Sequence, residues 1–91
     1  MKYTRTALKK LETIFNEQDY KVRYEKGTFQ SGYCIVEDKK VVVINKFFDT
    51  EGRINCLLDI LSMIVVMEDR LTPPSKLFFR QILKAQQIRQ E

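Results

Sequence analysis

Residues 28–45 read TFQSGYCIVEDKKVVVIN, two apolar runs split by the polar triplet Asp38-Lys39-Lys40. Runs of this kind joined by a short polar turn are the sequence form of a β-hairpin. The spacing therefore predicts strands over 28–37 and 41–45. Gly32, inside the first run, predicts a bulge or a close backbone approach. The second run is apolar at Val41, Val42, Val43 and Ile44 in succession, which a strand with one wet face would not need. It is expected either to be covered on both faces, or to be covered on one face and paired at its edge by another chain.

Upstream, YKVRYE (20–25) alternates between Tyr20, Val22, Tyr24 and Lys21, Arg23, Glu25. A period of two predicts a half-covered strand, and Lys26-Gly27 supplies a turn after it. Ala7, Leu8, Leu11, Ile14 and Phe15 recur at helical spacing, predicting a helix over 5–18 capped by Thr4 or Thr6. Downstream, KFFDTE (46–51) reads as a loop, with one of Phe47 and Phe48 entering the core. Asp49 or Thr50 caps a second helix expected to run to about residue 68. Thr72-Pro73-Pro74-Ser75 breaks the chain and opens a third helix over 75–89, since proline is tolerated in a first helical turn.

Sequential strands joined by short turns usually pair in order. The expected fold is one α+β domain spanning 1–91, of element order α-β-β-β-α-α. It contains a three-stranded antiparallel meander, ordered one-two-three, packed against helices.

The second helix carries a main stripe of Ile54, Leu57, Leu58, Leu61, Ile64 and Val65, and a second stripe of Cys56, Ile60, Met63 and Met67. Burying an aliphatic side chain gains about 1.5–3 kcal/mol, against about 0–1 kcal/mol for a surface ion pair, so the second stripe must be covered. Phe78, Phe79, Ile82 and Leu83 of the third helix are one candidate cover and a second copy of the chain is the other. Cys56, Ile60, Met63, Met67, Phe78 and Phe79 are thus the candidate interface.

Net charge is +4, distributed as +3 over residues 1–26, −3 over 27–69 and +4 over 70–91. Lys76, Arg80 and Lys84 recur every four residues and form a candidate anion contact. No ribonucleoprotein aromatic signature, GXXG loop or zinc knuckle accompanies them, and a solvated charged face is the plainer reading. Tyr20, Tyr24, Phe29 and Tyr33 read as sheet packing before base stacking.

Histidine is absent. That removes Ser-His-Asp and Cys-His catalysis and every histidine-based metal site. No pair of carboxylates stands in a recognisable acid/base spacing. Asp59, between Leu58 and Ile60, is expected at the edge of an apolar face or paired with Arg53 or Lys46. Cys34 and Cys56 sit in apolar runs and read as buried thiols of a reducing compartment. The longest uncharged apolar stretch, Ile60 to Met67, falls far short of the ~20 residues a spanning helix needs. MKYTRTALKK shows no apolar leader core. A cytoplasmic protein without cofactors is expected.

Two resemblances add to this reading. The stretch KVRYEKGTFQSGYCIVEDKKVVVINKFFDTEGRINCLLDIL resembles a group of short uncharacterised bacterial α+β proteins sharing its strand, glycine, hairpin and helix pattern, which implies a bacterial source. Ile44-Asn45 followed by Arg53-Ile54-Asn55 more faintly resembles the HExxH metallopeptidases that cleave phage repressors. On that register the zinc motif falls on Leu58-Asp59-Ile60-Leu61-Ser62. Leu58 and Ser62 stand where both zinc ligands would be, and Asp59 where the glutamate would be. The resemblance then implies a metal-free scaffold.

The functional expectation is a non-enzymatic interaction module that forms a homodimer or binds another protein. The alternative is a nucleic-acid or ribosome-associated accessory protein using its basic first and third helices.

Overall fold

In the computed structural model, residues 2–26 and 33–90 are described. The chain is α+β: α1 (Arg5–Glu17), β1 (Lys21–Glu25), β2 (Tyr33–Val36), β3 (Val41–Asn45), α2 (Thr50–Leu61) and α3 (Pro73–Gln90), with short 3-10 turns at Glu37–Lys39 and Glu68–Arg70. The expected turn at Gly27, the bulge at Gly32 and the placement of Phe29 lie outside the described residues.

The sheet order is β1-β3-β2, not one-two-three. β2 and β3 form the antiparallel hairpin, in register Val36↔Val41 to Tyr33↔Ile44. Its turn closes through Lys40 at φ 51°, in the left-handed region. β1 pairs with β3 in parallel, from Lys21↔Val41 to Glu25↔Asn45. The sheet is therefore mixed, and the antiparallel meander is corrected. So is the edge reading of VVVIN, because β3 is the central strand. Its continuous apolar run follows from that place: Val42 and Ile44 are fully buried, while Val41 and Val43 are half-buried on the opposite face. A central strand flanked by a parallel partner matches the pattern of a strand covered on both sides better than a strict alternation does.

The helices build the core on the Val42/Ile44 face. In α1, capped by Thr4 Oγ1 accepting from the Ala7 amide at 3.2 Å, the buried stripe is Ala7, Leu8, Leu11, Ile14 and Phe15. Asp49 caps α2, its carboxylate accepting from the Gly52 amide at 2.8 Å. A Cβ on Gly52 would stand 3.2 Å from that oxygen and 3.3 Å from Phe48 Cβ, so glycine leaves room for the cap. Of the two phenylalanines before it, Phe48 packs against the core and Phe47 is exposed.

Two expectations for the later helices are corrected. α2 ends at Leu61, well short of residue 68. Ser62 Oγ donates to the Asp59 carbonyl at 2.6 Å, satisfying one of the carbonyls a helix end leaves orphaned. The β-branched pair Val65-Val66 then disfavours another turn. On α3, Phe78, Phe79 and Ile82 are buried as expected, whereas Leu77 and Leu83 are exposed.

Candidate interaction surfaces

Three polar arrangements tie the elements together and decide which surfaces stay open. The first joins α1, β1 and α2. Tyr24 donates its hydroxyl to Glu12 Oε2, and the Arg53 guanidinium lies 4.3 Å from the Tyr24 ring centroid. Arg53 also donates to the Phe48 carbonyl at 3.0 Å and the Lys46 carbonyl at 2.8 Å. Burial, with the Glu12 hydrogen bond next, pushes the Tyr24 phenol well above its ordinary value. Arg53 is thus held by carbonyls and a ring, while Asp59 is exposed on α2. Burial also pushes the Cys56 thiol up, with Asp59 adding to the effect. Less thiolate, the reactive form of cysteine, is present at neutral pH as a result.

The second arrangement holds the segment after α2. Gln18, almost fully buried, donates from Nε2 to the Met67 carbonyl at 3.0 Å and accepts from the Met67 amide at 2.7 Å. Its side-chain amide takes the place of a neighbouring strand. The third caps α3: the Glu17 carboxylate accepts from the Thr72 amide at 3.0 Å, from the Thr72 hydroxyl at 2.9 Å and from the Ser75 hydroxyl at 3.1 Å. Both clamps come from the end of α1, and no local pattern announced them.

Two surfaces remain. Residues 62–67 run extended over Tyr20. Ile64 and Val66 pack inward, and Met63, Val65 and Met67 face solvent at 55%, 86% and 49% exposure. A depression of about 400 Å³ lies beside them, lined by Tyr20 and Ile64 with Lys40 and Arg70 at its rim. Arg70 is paired with Asp19 at 2.6 Å. Of the six candidate interface residues, Cys56, Ile60, Phe78 and Phe79 are buried in the chain's own core. Met63 and Met67 are on the surface, joined by Val65.

The other surface is a cleft of about 470 Å³ between α1 and α3, lined by Lys2, Thr4, Thr6 and Lys10 on one side and by Gln81 and Lys84 on the other, over Phe78. The basic ends of the chain converge here. The stripe on α3 is divided: Lys84 lines the cleft, Arg80 pairs with Glu68 at 3.6 Å, and Lys76 is half-buried. Lys2 and Lys10 were not singled out in the sequence, because only the packing of α1 on α3 brings them to Lys84.

No group of three or more His, Cys, Asp or Glu side chains among the described residues is placed to hold a metal ion. At the positions matching the metallopeptidase motif, Leu58 is buried, and Asp59 and Ser62 are exposed. Among the described residues, no helix is long and apolar enough to cross a membrane. No protein family, curated protein or solved structure matches the chain.

Proposed function

We propose that the protein is a non-enzymatic interaction module that associates with a second copy of itself through Met63, Val65 and Met67. The observation that carries this reading is the row of three large apolar side chains held outward on consecutive odd positions. An apolar centre with a polar rim is the anatomy of a protein interface, and methionine suits a surface that must adapt its shape. The Met67 backbone is already paired with Gln18. Contact at that residue is accordingly through side chains, which a two-fold axis can satisfy identically in both copies.

The association is weak. Each of these side chains gains at most about 1.5–3 kcal/mol on full burial, and joining two molecules costs about 4–15 kcal/mol. Symmetry also brings the two Lys40 rims together, a repulsion that salt screens. Sedimentation velocity tests the reading. The expected result is a dimer in the micromolar range that tightens with added salt and is lost in Val65→Asp. Monomer alone throughout that range would overturn it.

A further inference from the structure

We infer that the α1–α3 cleft is a binding site for a compact oligophosphate anion, recognised by Lys2, Lys10 and Lys84. Its volume, about 470 Å³, lies within the range of about 300–1,000 Å³ typical of small-ligand sites. Three ammonium groups line it and, among the described residues, no carboxylate does. The two glutamates of α1 are engaged elsewhere: Glu12 accepts from Tyr24, and Glu17 from Thr72 and Ser75. Like charges gathered in one cleft raise the local potential and draw anions to it.

The remaining lining groups are donors suited to phosphate oxygens. Thr4 accepts from the Ala7 amide through Oγ1, which leaves its hydroxyl hydrogen to donate outward. Thr6 and the Gln81 amide add further donors. Lys10 is positioned by Phe78, its ammonium 5.3 Å from the ring centroid.

The same geometry separates a compact anion from a nucleic-acid strand. Single-strand binding relies on aromatic faces that stack successive bases. Phe78 is buried, and Lys10 stands over its ring. The cleft therefore offers charge and hydrogen bonds to phosphate without a stacking platform for a base.

The test is calorimetric titration of the full chain with sodium tripolyphosphate at low salt, beside a short single-stranded oligothymidylate at equal phosphate concentration. Lys10→Gln/Lys84→Gln is compared with Lys26→Gln/Lys39→Gln, which removes the same charge from exposed positions outside the cleft. Circular dichroism of each variant verifies that it folds. The expected result is saturable tripolyphosphate binding, weakened at least about tenfold by the first pair and less than about twofold by the second. An equal loss in both pairs would reduce the effect to net charge and overturn the site. So would an absence of binding. Tighter binding of the oligothymidylate than of tripolyphosphate would overturn the compact ligand in favour of a nucleic-acid strand.

Discussion

α2 and the segment that follows it are built from similar residues and meet opposite fates. In Thr50–Leu61, Ile54, Leu57 and Ile60 are fully buried. In 62–67, an even more apolar stretch, Met63, Val65 and Met67 face solvent. The helix satisfies its own backbone and turns its apolar sides inward. The extended segment has its Met67 amide and carbonyl paired with a side chain 49 residues away. Apolar content alone does not decide burial. A backbone partner places the segment, and the strand-like alternation then sends every second side chain outward.

The largest expected effect separates the two regions by stability. Ile60→Ala should cost about 2–5 kcal/mol in urea unfolding, because it empties a closed core site. Val65→Ala should stay within about 0.5 kcal/mol, as surface changes do. Comparable losses would break the contrast. Gln18→Ala comes next, at about 1–3 kcal/mol, since it strands the Met67 amide and carbonyl. Hydrogen exchange should rise at residues 64–71 well before it rises in α2. A uniform rise would mean that Gln18 serves the whole core and not the segment.

The smallest effect is tuned by pH. Tyr24→Phe should cost about 1.5 kcal/mol at neutral pH, through the lost hydrogen bond to Glu12. The Tyr24 phenol is raised in the folded chain above its ordinary value of 10.0, so folding favours the protonated form. That contribution is whole below about pH 10, the unfolded value, and declines as pH rises toward the folded value. The stability gap between wild type and Tyr24→Phe should therefore narrow above about pH 10 in parallel urea titrations. A gap that stays constant with pH would detach the phenol from the fold's alkaline limit.

What the sequence disclosed and what it withheld divide along the same line. The stripe of α1, the hairpin of β2 and β3, the Asp49 cap and the proline start of α3 are local patterns, and the structure contains them. The parallel pairing of β1 with β3 is not local. The short-turn rule favoured the neighbour β2, and nothing in YKVRYE specifies a partner. The end of α2 was hidden because Ile64 and Val65 continue a helical stripe that the backbone does not follow. The candidate surfaces were legible only in part. Met63, Met67 and Lys84 were visible as patterned residues, but Gln18, Glu17, Lys2 and Lys10 act through contacts between distant parts of the chain.

The strand order also sets a timetable for the chain as it is made. β1 is complete at Glu25, yet its partner in the sheet ends at Asn45. Twenty further residues must be synthesised before β1 can pair along its whole length. Until then the Tyr20–Tyr24 stretch has no ladder to join and is exposed to wrong partners, the usual hazard of parallel pairing between distant segments. A nascent chain stalled before residue 41 would hold α1 and β1 without the strand that joins them to the hairpin.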